Sequence, residues 1–216
     1  PRQNFTCAHE IGHHVFGHGT KVDEYVKGNE SSKYDDPDEF LAQTFAGHLL
    51  MPETLVHKVL NDRNINVNEI TERDLYEISC YFGVGYSTLI THLRYGCGFI
   101  SDETMNRLKQ SSLSSIRALF GINDTTKPLV YVDEKWIERP IDLEVGDLLI
   151  CQKSIEFDGQ SLIKTGANNS HVCYEAITTG LGRVFNPDTE WASFTRTRRK
   201  NFEGRAIYRH MEEVED

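Results

Sequence analysis

Apolar positions in the first hundred residues recur at helical spacing, whereas in the last ninety they fall into short runs divided by turns. Residues 4–18 read as a helix, with Asn4 or Thr6 available as N-cap and Gly17 and Gly19 closing it. A polar loop, 19–35, follows. A second helix opens at Asp36-Pro37-Asp38-Glu39, with Asp36 as N-cap, Pro37 as first helical residue and Glu39 as reciprocal capping acid. Leu41, Phe45 and Leu49, together with Ala42 and Ala46, give it an apolar face containing small residues, suited to close packing on a neighbour. It is expected to stop before Met51-Pro52.

A third helix is expected from Pro52 to about Leu60, and a fourth from Thr71, carrying Leu75, Ile78 and Phe82. Gly83-Val84-Gly85 then turns the chain, and Ser87 is the expected cap of a fifth helix carrying Leu89, Ile90 and Leu93. Residues 65–100 thus have a helix-turn-helix outline. Beyond residue 110 the texture changes. Residues 111–127 are rich in Ser and Thr around Ile116, Leu119 and Phe120 and read as a linker containing a short helix.

From there on, β-prone runs appear at Leu129–Val132, Leu148–Cys151, Val172–Thr178, Arg183–Phe185 and Arg205–Tyr208. Val145-Gly146-Asp147, Phe157-Asp158-Gly159 and Asn186-Pro187-Asp188 are the expected turns. The pattern predicts an α+β chain: a mainly helical domain over 1–110, a linker over 111–127 and a β-rich domain over 128–213.

Composition narrows the class. Of 216 residues, 38% are hydrophobic and 26% charged, and no apolar run approaches the roughly 18 residues a membrane span needs. A formal net charge of -10 opposes a sequence-independent grip on nucleic acid, which relies on clustered Lys and Arg. Arg196, Arg198, Arg199, Lys200, Arg205 and Arg209 form one basic exception, read as a solvated strand face or loop. The five cysteines (Cys7, Cys80, Cys97, Cys151, Cys173) are odd in number and contain no C-x-x-C pair, which suits free thiols in a reducing cytoplasm. The chain opens at Pro1, already at the entrance to the first helix, so an upstream part of the same domain is expected to be missing.

The chemistry gathers in Ala8-His9-Glu10-Ile11-Gly12-His13-His14, an H-E-x-x-H run. On a helix, His9 and His13 lie one turn apart on one face and can both reach a tetrahedral zinc. Glu10, about 100° round, sits beside the ion, where it can take a proton from an attacking water. Two ordinary surface or core histidines are the plain alternative. A catalytic zinc needs a third protein ligand. His18 falls five residues after His13, and Phe16 and Gly19 stand where the H-E-x-x-H-x-x-G-x-x-H pattern needs Gly and His. His14 points off the ligand face. Glu39, 26 residues after His13, opens the next helix and is a candidate, although the capping role alone would explain an acid there.

Three ordered blocks carry a family resemblance. Asn4-Phe5-Thr6-Cys7-Ala8-His9-Glu10-Ile11-Gly12-His13 resembles the "RFTLAHELGH" signature of the ImmA/IrrE family of bacterial metallopeptidases. Glu39-Phe40-Leu41-Ala42-Gln43-Thr44-Phe45-Ala46, followed by Leu49-Leu50-Met51-Pro52, is similar to that family's "E-x-x-A-N-x-F-A…LLMP" segment. Residues 75–100 resemble its downstream helices, so the likeness covers about residues 2–104. Gln43 stands where the family usually has Asn, and His48 where it often has a small or acidic residue.

The resemblance implies His9, His13 and Glu39 as zinc ligands and Glu10 as catalytic base, on a gluzincin-like α+β scaffold whose upstream strands lie outside this chain. It also implies a regulatory endopeptidase acting on a partner protein, a transcriptional repressor, in control of mobile-element transfer, phage induction or stress response. Tyr34, in the loop before the second helix, is a candidate donor to the transition-state oxyanion.

Two other classes compete with this reading. One is a DNA-binding regulator built on residues 71–95, where Arg73 and Arg94 are outnumbered by Glu69, Glu72, Asp74 and Glu77. The other is a ligand-sensing role for the β-rich part that gates the peptidase. There His171 and Cys173 share a strand face, as a core pair or a metal-binding one.

Overall fold

The computed structural model describes residues 2–18, 36–122, 127–137 and 139–199. The chain divides into two compact units, residues 1–119 and 120–216. Among the described residues, no helix is long and apolar enough to cross a membrane.

The described residues of the first unit form helices: α1 (Arg2–Phe16), α2 (Pro37–Leu50), α3 (Glu53–Asp62), α4 (Glu72–Phe82), α5 (Tyr86–Thr91), α6 (Asp102–Lys109) and α7 (Leu113–Leu119). A π-helical turn, His92–Gly96, extends α5. Asp36 caps α2 as expected, its Oδ1 accepting from the Asp38 amide at 2.9 Å, with Pro37 opening the helix. Thr71 and Asp74 cap α4 reciprocally: Thr71 Oγ1 accepts from the Asp74 amide and Asp74 Oδ2 from the Thr71 amide. The helix then closes on Gly83 in the left-handed conformation (φ 66°). Helix α5 starts at Tyr86 with Gly85 at its N-cap, so the expected cap Ser87 lies inside the helix instead. There Gly85 provides the extended backbone from which the Leu89 amide reaches its carbonyl.

The packing of α1 on α2 also differs from expectation. The buried positions of α2 are Ala42, Ala46 and Gly47, while Leu41 and Leu49 are exposed. Gly12 of α1 faces Ala42 so closely that a Cβ there would stand 3.0 Å from the Ala42 Cα. Small residues on both sides therefore let the two backbones nearly touch, and the larger leucines are turned outward.

At the far end of α2, the ring of His92 lodges between Gly47 and Gly96, both of which would clash with it if they carried a Cβ. Its Nε2 is 2.8 Å from the Met51 carbonyl, tying the π turn to the end of α2. Burial pushes the His92 imidazole below its ordinary pKa. The core of the unit runs through Val56, Ile70, Leu75, Ile78, Leu89 and Leu93, and Ile116 of α7 joins it. The Tyr86 hydroxyl donates to the Leu108 carbonyl at 3.1 Å, and burial raises its pKa to about 12.

Among the described residues, the second unit holds eight strands: β1 (Leu129–Val132), β2 (Ile141–Glu144), β3 (Leu148–Gln152), β4 (Glu156–Gly159), β5 (Leu162–Ala167), β6 (His171–Ala176), β7 (Gly180–Phe185) and β8 (Ala192–Arg198). They form two four-stranded sheets, ordered β1-β3-β6-β5 and β2-β8-β7-β4. Each has one parallel pair, β1 with β3 and β2 with β8, and is otherwise antiparallel.

Phe157-Asp158-Gly159, expected as a turn, is part of strand β4, paired with β7. The two glycines of its last pair, Gly159 and Gly182, leave the space that the Phe157 ring fills, so the glycine serves ring packing. His171 and Cys173 are both buried, and His171 packs edge-on against Phe120 and Tyr131. Arg196 and Arg198 lie on the exposed face of β8, where Arg196 pairs with Asp142 at 2.6 Å. The expected strand Arg205–Tyr208, and Lys200, Arg205 and Arg209 of the basic cluster, lie outside the described residues.

Candidate metal centre

Helix α1 presents His9 and His13 one turn apart, their ring centroids 4.7 Å apart and their planes nearly perpendicular. Opposite them, Glu39 stands in the first turn of α2. Its Oε2 is 3.3 Å from His9 Nε2, and its Oε1 is 3.2 Å from His13 Nε2. The acid expected to cap its own helix is therefore turned toward the histidines of the neighbouring one. Both histidines are largely buried, and Glu39 is about one-third exposed (31%).

Among the described residues, His9, His13 and Glu39 are the group of acids, histidines and cysteines able to hold a metal ion, with ligand atoms within 4.8 Å of one another. A tetrahedral ion with bonds of about 2.0–2.1 Å sets its ligand atoms roughly 3.4 Å apart. The two nitrogen–oxygen separations, each to a different oxygen of the Glu39 carboxylate, are close to that edge. Two imidazoles and a carboxylate also form the donor set of three-ligand catalytic centres, which keep a position open. The residues present fit a divalent metal ion.

Glu10 lies outside this triangle. Its side chain is 71% exposed, and its Oε1 is 3.8 Å from the Nδ1 of His9, on the side of that ring away from Glu39. His14 is exposed and takes no part. Tyr34, the candidate oxyanion donor, lies outside the described residues. His48 is exposed and stacks edge-on against His92, 4.9 Å between centroids, apart from the triangle.

Sequence reasoning weighed His18 only as a metal ligand, and its observed place is different. After Phe16 the chain turns through Gly17 in the left-handed conformation (φ 68°). The Gly17 amide donates to the His14 carbonyl at 3.2 Å and the His18 amide to the His13 carbonyl at 3.0 Å, the paired bonds of a Schellman ending. This reversal lays the His18 ring against His13, with the two Nδ1 atoms 3.0 Å apart. His18 Nε2 faces Asp38 Oδ1 at 3.6 Å. Glycine at 17 was the sequence signal for this turn: it marks where the helix stops and which residue comes back over the last turn.

Residues 1–94 match the model of the family Peptidase_M78, described as the IrrE N-terminal-like domain. No curated protein and no solved structure matches the chain.

Proposed function

Since residues 1–94 belong to the Peptidase_M78 family, the IrrE N-terminal-like domain, we propose that this chain is a zinc-dependent endopeptidase that makes a regulatory cut in a partner protein. The observation that carries the reading is the turn of Glu39 away from its own helix end and onto His9 and His13, at 3.3 and 3.2 Å. A cap would leave that carboxylate at the helix end; a metal site needs it where it stands.

His9, His13 and Glu39 would hold the zinc, which when bound would supply a Lewis acid to a substrate carbonyl and to the attacking water. Glu10 does the proton work. Its carboxylate is exposed, lies next to a ligand and is not one itself, so it is free to take the proton of the attacking water and deliver it to the departing amine. His9 and His13 hold their Nε2 atoms inward from a single helix face, and the close α1–α2 contact sets their distance from Glu39.

A transcriptional repressor is the substrate class that the family resemblance implies, and the cytoplasm is where five free cysteines sit comfortably. The β-rich unit is then a sensory or regulatory module for the peptidase. The helix-turn-helix outline does not redirect the reading to DNA. Arg73 pairs with Glu77, Arg94 with Asp102 and Arg107 with Glu72, so these cations are engaged by carboxylates of the same unit.

The test uses the purified chain with zinc and a mixed-sequence peptide library read by mass spectrometry. The parent is expected to bind one zinc and cleave. Glu10→Gln should keep the zinc and lose cleavage by about 10²-fold or more, the scale of a general acid–base group. Cleavage by Glu10→Gln at the parent's rate would refute the mechanism, and a parent that binds no zinc would refute the site.

A further inference from the structure

We infer that His18 is a positioning residue for the metal centre: it fixes His13 in the one tautomer that offers Nε2 to an ion, and Asp38 fixes His18 in turn. The inference rests on the metallopeptidase reading for the ion itself, and on two observed separations and one packing arrangement for the rest.

The first is the contact between His13 Nδ1 and His18 Nδ1, 3.0 Å. A hydrogen bond between two ring nitrogens requires a proton on one and a lone pair on the other. If His18 donated, His13 Nδ1 would be the acceptor, and the neutral ring would carry its proton on Nε2, the atom that faces Glu39. That arrangement cannot ligate a cation. In the opposite one, His13 Nδ1 donates, its Nε2 lone pair is free, and His18 Nδ1 accepts.

The second separation selects between these two. With Nδ1 of His18 as acceptor, its proton lies on Nε2, and that nitrogen faces the Asp38 carboxylate at 3.6 Å. The distance is long for a hydrogen bond but short enough for the negative charge to favour the proton on the facing nitrogen. The relay therefore runs in one direction, from the His13 Nδ1 proton to His18, and from the His18 Nε2 proton toward Asp38. Ligating histidines are commonly oriented in this way through their second nitrogen, by a group behind the ring.

The third is the cage that keeps the His18 ring in place. Its side chain is only 8% exposed, stacked on Phe16 at 5.6 Å and 21° and set edge-on to His13 at 5.1 Å. The Schellman ending holds its backbone from below. Asp38 stands in the first turn of α2 beside Glu39, so the helix that supplies the third member of the triangle also supplies the far end of the relay. His9 has a different environment behind its ring: its Nδ1 looks toward exposed Glu10 at 3.8 Å. The support is thus built for His13.

The experiment measures zinc affinity by competition with a chromogenic chelator, together with the visible spectrum of the cobalt-substituted chain, for the parent, His18→Phe, His18→Asn, Asp38→Asn and Glu39→Ala. Phe keeps an aromatic ring on Phe16 but removes the acceptor, while Asn loses the ring but keeps an acceptor near the Nδ1 position. His18→Phe is expected to weaken zinc binding by about 10- to 100-fold and to shift the cobalt bands. His18→Asn should recover most of that affinity, and Asp38→Asn should weaken it to a smaller degree.

If His18→Phe binds zinc as tightly as the parent, or if His18→Asn is as weak as His18→Phe, the positioning role is overturned. Should His18→Phe fail to fold, parent-like affinity in Asp38→Asn overturns the relay by itself. Zinc bound by the parent and lost in Glu39→Ala keeps the metal reading standing whichever way the His18 variants fall. A parent that takes up no zinc overturns both.

Discussion

Replacing Gly12 by Ala tests whether the contact between α1 and α2 sets the dimensions of the proposed metal centre. Gly12 lies between His9 and His13 and faces α2. An added Cβ would meet Ala42 Cα at 3.0 Å, Ala42 O at 3.1 Å and Phe45 Cδ1 at 3.2 Å. Carbon atoms rest comfortably at about 3.5–4.0 Å, so α2 has to retreat by roughly 0.5 Å at Ala42. Phe45 can swing aside; backbone cannot. Glu39 is three residues before Ala42 on the same helix and moves with it, while His9 and His13 stay on α1. Ligand distances in a metal site are held to about ±0.2 Å, so a shift of this size spoils the triangle.

Stability responds less. Alanine gains up to about 1 kcal/mol over glycine in a helix interior, against a typical overpacking cost of about 1–3 kcal/mol. The metal-free chain is therefore expected to lose between zero and about 2 kcal/mol. Zinc affinity should fall about 10- to 100-fold, the scale at which supporting groups act on metal sites. Chelator competition measures the second quantity, and chemical denaturation of the metal-free chain the first. Zinc affinity unchanged beside a measurable loss of stability would refute the claim that helix spacing fixes the site.

Two further predictions concern the scaffold. Thr71→Ala removes one half of the reciprocal cap on α4, and should lower unfolding stability by about 1 kcal/mol in urea titrations, with zinc affinity untouched. His92 has a folded-state pKa below its ordinary value, chiefly because it is buried, with the Met51 carbonyl and Glu53 opposing that shift and His48 adding to it. The unfolded chain therefore binds a proton that the folded chain refuses. The His92 contribution is present above the unfolded value of about 6.5 and is lost as pH falls through that value toward the folded one. Denaturation midpoints at neutral and mildly acid pH should fall more steeply for the parent than for His92→Gln. Parallel slopes would remove His92 from the account.

The grouping of the candidate residues in the helical unit was legible because its signals are local. Asp36-Pro37 announces a helix start, His9 and His13 share a face by spacing alone, and Thr71 with Asp74 is a self-contained cap. What escaped depends on which neighbour arrives. Leu41 and Leu49 look like a buried face until α1 chooses the alanines instead, because Gly12 leaves no room for anything larger. His18 looked like a spare ligand because the sequence does not say which ring nitrogen will be turned to which partner.

In the second unit, β8 went unread for a related reason. Its inward positions are Ser193, Thr195 and Thr197 and its outward ones include Phe194, so its burial alternates while its hydrophobicity does not. Strand β4 hid behind a Phe-Asp-Gly run whose glycine makes room for an aromatic ring.

The place of β8 in its sheet governs how the second unit can be made. It is the last described strand in the chain yet lies between β2 and β7, with β2 more than forty residues upstream and joined to it in parallel. In order of synthesis, β2 emerges and must wait, with its pairing edge open, until almost the whole unit has followed. A ribosome that stalls or a protease that cuts before Ala192 therefore removes the middle of the sheet and strands β2 without its neighbour. Long-separation pairing of this kind is slow to form. The β-rich unit consequently becomes whole only when its last described strand is in hand, whereas the helix pair that carries His9, His13 and Glu39 is complete within the first fifty residues.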